Sequence, residues 1–187
     1  MSPGKYFFGC GIKQEEANIE GIYQYGLEIK DFSGDGLMLS DLRICLLPES
    51  EPLTPGIHRD QLNLAPYPFL HFRKEAPLAL YFEIYNIAPA GNGRTSYSIE
   101  YSIEQQSFDQ SKGISDFFRK IGRFITGRKT ATITLSHERT GTAQTAYELI
   151  QFDLNAFPES ESLITVTVTD KSSGKDVSSY RQIRIVK

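Results

Sequence analysis

Residues 164–169 read ITVTVT. A repeat of two places Ile164, Val166 and Val168 on one side of an extended chain and the three threonines on the other. Such a strand is half-buried and needs a second apolar surface over its inner face, so it commits the chain to a layered β structure. After the turn residues DKSSGK, 170–175, the run YRQIRIV resumes the alternation, with Ile183 and Ile185 set between Gln182 and Arg184. The two runs are expected to form a hairpin.

The same rule sends Tyr97, Ile99, Tyr101 and Ile103 of SYSIEYSIE to one face and Ser98, Glu100, Ser102 and Glu104 to the other. Its expected hairpin partner, across the loop APAGNGRTS, is LYFEIYNI at 80–87. There Leu80, Phe82 and Ile84 read as core, while Tyr81, Glu83, Tyr85 and Ile87 face outward. Further strands are expected at 20–31, 37–47, 67–72, 130–137 and 146–154, all rich in β-branched or aromatic residues and bounded by Gly, Pro or Asn. About nine strands and little helical pattern predict an all-β fold, an immunoglobulin-like antiparallel β-sandwich. A chain of 187 residues with 40% hydrophobic content can fill one such core. The expected organisation is a single domain over 1–187, with 1–35 contributing N-terminal strands. The Pro-rich stretch PESEPLTPG, 48–56, is read as a long loop within it.

One segment breaks the β pattern. In KGISDFFRKIGRFITGRK, 112–129, Ile114, Phe117, Phe118, Ile121, Phe124 and Ile125 recur at helical spacing, Ser115 suits an N-cap and Gly127 a stop. This predicts one inserted amphipathic helix at about 114–126. Six basic residues against Asp116 give the stretch +5, so the remainder of a chain of net charge −3 carries −8. The helix is expected to lay its apolar face over the sandwich. The alternative is docking, with Arg119, Lys120 and Arg123 meeting an anionic membrane surface or a partner groove.

Three stretches carry a family resemblance: GLMLSDLRICLLPE at 36–49, APYPFLHFRKEAPLALYFEIYNI at 65–87 and SLITVTVTDKSSGKDVSSYRQIRIV at 162–186. Together they resemble the carboxyl-terminal β-sandwich region of bacterial proteins named for a Gly-Trp-x-Thr-Asp motif, over roughly 36–187. The naming motif is absent, since the chain has no tryptophan. The resemblance therefore implies an accessory module of a larger exported or envelope protein, and none of the chemistry attached to that motif.

Few residues point to chemistry. Tyr81, Glu83 and Tyr85 form an outward row that reads as a solvated strand surface or as a platform for a protein partner. Asp31, Ser33 and Asp35 in DFSGDG have the spacing of a calcium loop, but position 12 of that loop would be Leu42 instead of an acid, so no metal is expected. His58, His71 and His137 lack ligand spacing, HRD at 58–60 stands without the other parts of a kinase site, and no G-x-S-x-G elbow occurs. Cys10 follows only three apolar residues, Tyr6 to Phe8, too few for the roughly 7–15 of a signal segment, and it is read with Cys45 as one of two buried free thiols. No run approaches the roughly 18 apolar residues of a membrane span. A pI near 5.7 gives no reason to expect nucleic acid. The function expected is a non-enzymatic interaction or structural module without cofactor, met by a protein partner. A membrane-surface adaptor using the basic helix and a carbohydrate-binding module using the outer tyrosines are the alternatives.

Overall fold

A computed structural model describes residues 2–14, 16, 19–46, 57–59, 62–67, 69–74, 78–105, 132–155 and 157–187. The expected helix at about 114–126, with Arg119, Lys120 and Arg123, lies outside the described residues, as does the stretch 48–56. The chain forms two compact units, Met1–Asp35 and Gly36–Lys187. All regular structure among the described residues is strand.

The first unit is a two-stranded antiparallel ribbon of β1 (Gly4–Gln14) and β2 (Ile19–Ile29), paired from Gly4↔Ile29 to Gln14↔Ile19. The expectation at 20–31 becomes β2. N-terminal strands are expected within 1–35, but none is placed at β1, because Gly9 and Gly11 interrupt its apolar positions and read as loop.

The second unit begins with β3 (Met38–Leu39), β4 (Arg43–Leu46), β5 (Ile57–Arg59), β6 (Leu62–Pro66) and β7 (His71–Arg73). There follow β8 (Leu78–Tyr85), β9 (Thr95–Gln105), β10 (Thr132–Gly141), β11 (Ala146–Phe152), β12 (Ser160–Asp170) and β13 (Asp176–Val186). One sheet has the order β11-β8-β4-β6-β5, with β3 also on β8; the other has the order β10-β9-β12-β13-β7. All pairings are antiparallel except β7 with β13. The alternation in β9, β12 and β13 is as expected from the sequence. Tyr97, Ile99, Tyr101, Ile103, Ile164, Val166, Val168, Ile183 and Ile185 enter one core together with Leu80, Phe82 and Ile84 of β8.

Four expectations about the strands need correction. The stretches at 80–87 and 95–105 do not pair as a hairpin, since β8 belongs to one sheet and β9 to the other. Their connection, 86–94, is longer than the two to five residues of a tight hairpin. It leaves β8 through Asn86 in the left-handed region, φ 61°. That reversal turns Ile87, expected on the outer face, fully into the core. The single strand expected at 37–47 is two short strands. Between them Ser40 donates its backbone N–H to the Glu83 carbonyl and accepts the Glu83 N–H on its hydroxyl, both at 2.9 Å. Replacing a backbone acceptor by a side chain breaks the alternation, so Leu39 and Leu42, three apart, both reach the core. Of the strand expected at 67–72, only 71–72 is strand among the described residues, as part of β7, which lies parallel on β13 from Arg184↔His71 to Val186↔Arg73.

Asp170 ties the crossing connection to the β12–β13 turn. It is 1% exposed. Its carboxylate accepts the Ala88 N–H at 3.0 Å, the Ser172 N–H at 2.9 Å and the Ser173 hydroxyl at 2.7 Å. Gly174, at φ 69°, closes the turn by donating to the Asp170 carbonyl at 2.8 Å. Burial alone would raise the Asp170 carboxyl, but the donors from Ser173, Ala88 and Ser172 outweigh it and hold the group below its ordinary value. A carboxyl depressed on folding contributes stability that is present above the unfolded value, about 4, and is lost as pH falls through the folded one. Asp170→Asn is expected to destabilise the protein by roughly 1.5–3 kcal/mol at neutral pH and to shrink the loss of stability between neutral and acid pH. Urea titrations at pH 7 and pH 3 measure both; an unchanged acid response in the variant would remove Asp170 as its source.

Candidate functional site

The row Tyr81, Glu83 and Tyr85 lies on β8 opposite the core residues. Glu83 and Tyr85 are half-buried, but Tyr81 is only 4% exposed, which corrects the expectation of a solvated row. The cause is a second apolar cluster on that outer face, where Tyr81 packs with Cys45 and Leu64, and with Tyr147 and Leu149 at its margin. The Tyr81 and Tyr147 rings stack at 6.3 Å. Glu83 accepts the Tyr81 hydroxyl at 2.5 Å on one oxygen and the Tyr85 hydroxyl on the other. Both phenols thus neutralise the desolvation of a half-buried carboxylate, and the Tyr81 ring offers no open face to a stacking partner.

Asp31 and Ser33, from the calcium-like spacing, close on each other. The Asp31 carboxylate accepts the Ser33 N–H at 2.9 Å and its hydroxyl at 2.6 Å, and these bonds hold the Asp31 carboxyl below its usual value. Leu42, at the twelfth position, is a core residue. Among the described residues no group of three or more His, Cys, Asp or Glu side chains could hold a metal ion. Both cysteines are free. Cys45 is buried, and burial pushes its thiol up against a smaller opposing pull from Arg43. Cys10 is exposed, not buried as expected, because β1 belongs to a ribbon of only two strands.

A cluster the sequence did not reveal joins the two sheets at one open side. β10 and β11 are the edge strands there. Glu148 on β11 is opposite Phe82 and so points inward, where it is 8% exposed. It accepts the Tyr97 hydroxyl at 2.9 Å and meets Arg139 of β10 at 3.4 Å. One turn of the pleat away, Tyr101 bonds His137 at 2.6 Å, and their rings stack. Beside them lies a concavity of about 290 Å³ lined by residues including Tyr101, Leu135, Phe152 and Phe157. Glu148 was hidden because AYELI carries apolar residues at both parities, so alternation alone does not set its register.

Eight of the twelve exposed large hydrophobic residues among the described ones lie on the ribbon. Residues directly opposite in an antiparallel pair share a face. The register therefore puts Tyr6, Phe8, Cys10 and Ile12 of β1 beside Leu27, Tyr25, Tyr23 and Gly21 of β2. Every residue of β1 is exposed; on this face Tyr23 is 63% and Ile12 74% exposed. The opposite face carries Lys5 against Glu28, Gly9 against Gln24 and Lys13 against Glu20, the last pair 3.6 Å apart. Two apolar residues interrupt that polar face, Ile22 and Phe7, the latter lying over Gly26. Alternation in YFFGCGIK and GIYQYGLEI held the signal for this surface, but without β1 there was no register to join its two halves.

No family model matches the chain, and no curated protein matches it in sequence.

Two measurements check this geometry. Tyr81→Ala is expected to cost about 3–5 kcal/mol, as for a large buried ring, whereas a solvated ring would cost less than about 1. The Tyr97 phenol is raised far above its usual value by burial, then by its bond to Glu148 and by that carboxylate's charge, with Arg139 opposing. A raised phenol contributes stability that is fully present below the unfolded value, about 10, and lost as pH rises through the folded one. The denaturation midpoint should therefore fall above about pH 10, and less steeply in Tyr97→Phe. Equal alkaline slopes in the two proteins would show that Tyr97 stays unlinked to folding.

Proposed function

We propose that the chain is a non-enzymatic interaction module of a larger bacterial exported or envelope protein, built on an immunoglobulin-like β-sandwich. The observation that carries the reading is the exposed apolar face of the β1–β2 ribbon. A monomer rarely leaves a contiguous patch beyond a few hundred Å² in water, and such patches mark contact sites. Three carboxylates of the second unit that are buried or half-buried support the same view, since each has structural partners. Glu83 is held by two tyrosines, Asp170 closes a turn, and Glu148 is paired with Tyr97 and Arg139.

Two features support the finer fold reading. The connections β8–β9 and β11–β12 cross from one sheet to the other, as strands of an immunoglobulin-like sandwich do. The stretches that resemble the Gly-Trp-x-Thr-Asp proteins supply β3, β4, β7, β8, β12 and β13, so the resemblance rests on the scaffold of the second unit.

A photo-reactive phenylalanine analogue at position 23, on the apolar face, and at position 94, on an exposed loop of the second unit, tests this in the host cell. Covalent products with protein are expected from position 23 and not from position 94 after irradiation. Products from neither position would overturn the reading of the ribbon as a contact surface.

A further inference from the structure

We infer that the occupant of the ribbon's apolar face is the same face of a second copy of this chain, the two ribbons stacking as a four-stranded, two-layer dimer contact. This rests on the interaction reading above and names its partner.

A two-stranded ribbon is at best marginally stable alone in water, and needs further strands or another layer over its apolar side. Here both strands run eleven residues in continuous register, and the large apolar side chains along the middle of the face are exposed. Tyr6, Phe8, Ile12, Tyr23, Tyr25 and Leu27 are 36–74% exposed. At the 150–250 Å² that a large side chain can bury, their free surface is on the order of 700 Å², close to the roughly 800 Å² that each partner contributes to a standard interface. One face thus matches the size of one subunit's share in a dimer.

Charge selects among occupants. The strands carry Lys5, Lys13, Glu20 and Glu28, two of each sign, and all four lie on the opposite face. Bringing two copies together therefore buries no charge and sets no like charges against each other. An anionic lipid surface or a nucleic acid would instead be met by an excess of cations, which this ribbon does not present. A face meeting its own copy about a twofold axis is isologous and closes after two subunits.

Cys10 gives the contact a reporter. It lies one pair from the middle of the ribbon, opposite Tyr23, and is the exposed cysteine of the chain's two. Stacked sheets lie about 10 Å apart, so a twofold axis near the middle brings the two Cys10 thiols within reach of a short bis-maleimide. Cys45, being buried, does not compete.

Sedimentation equilibrium of the full chain is expected to show a monomer–dimer equilibrium, and the bis-maleimide to give a product of twice the chain's mass that is lost in Cys10→Ser. Phe8→Asp with Tyr25→Asp should weaken the dimer at least about a hundredfold. Phe7→Ser with Ile22→Ser, on the opposite face, should leave it within about threefold, and serves as the control for a ribbon disturbed by substitution. Circular dichroism melting should show the second unit unchanged in both variants. A monomer across the concentration range with no cross-linked product would overturn the inference. So would a dimer abolished by the Phe7 and Ile22 changes but not by the Phe8 and Tyr25 changes. Either result leaves the broader reading to be judged by whether position 23 cross-links to a different protein.

Discussion

The second unit depends on one constraint: the inner faces of β8, β9 and β12 must cover one another. Phe82 and Ile84 from one sheet and Ile99, Ile164 and Val166 from the other are essentially inaccessible to water. Each is worth roughly 1.5–3 kcal/mol of burial only while the opposite layer is present. The layering explains features that are obscure when taken singly. β8 and β9 adjoin in sequence, but pairing them would place both apolar faces in one sheet and leave that sheet uncovered. The chain instead crosses between layers through Asn86 and Ile87, and Asp170 fixes the crossing by accepting the Ala88 N–H.

Where the layers run out laterally, polar chemistry replaces apolar packing. Glu148 points inward on an edge strand, where an apolar residue would leave the margin of the core open to water and the strand edge open to pairing. An unpaired carboxylate there would be costly. Tyr97 donates to it and Arg139 balances it across the two sheets. Because Arg139 remains half exposed, the ion pair is partly screened, and the shorter Tyr97 bond is the firmer of the two links. Charge at this margin also discourages another chain from adding to the sheet.

Legibility followed periodicity. The clean alternation of 97–103 and 164–168 announced both the strands and their inner faces, and the DKSSGK turn announced the closing hairpin. The pairing of strands was less legible, because alternation tells which side of a strand is buried and not which strand lies beside it. β8 is buried on both faces near Tyr81, so alternation along its nearly continuous apolar run does not separate a buried from a solvated face. β1 was missed for a different reason. Its glycines lower strand propensity, and only the partner strand shows that they sit on the polar face while the aromatic residues gather on the other.

The rule that identifies the core also sets a requirement on the ribbon. In β12 the alternating apolar face is matched by a second layer, whereas in β1 and β2 it is matched by water. A two-stranded ribbon gains little from its own cross-strand pairs, roughly 0.2–1 kcal/mol each, against about 1–2 kcal/mol per residue of backbone entropy. Order in the ribbon and occupation of its face are therefore one equilibrium, not two. In the proposed dimer, contact with a second copy would stabilise the ordered strands by mass action, making the ribbon's stability depend on protein concentration. The core of the second unit is closed within one chain and carries no such dependence. On that proposal one chain combines a unit whose order is fixed internally with a unit whose order reports on the presence of its partner.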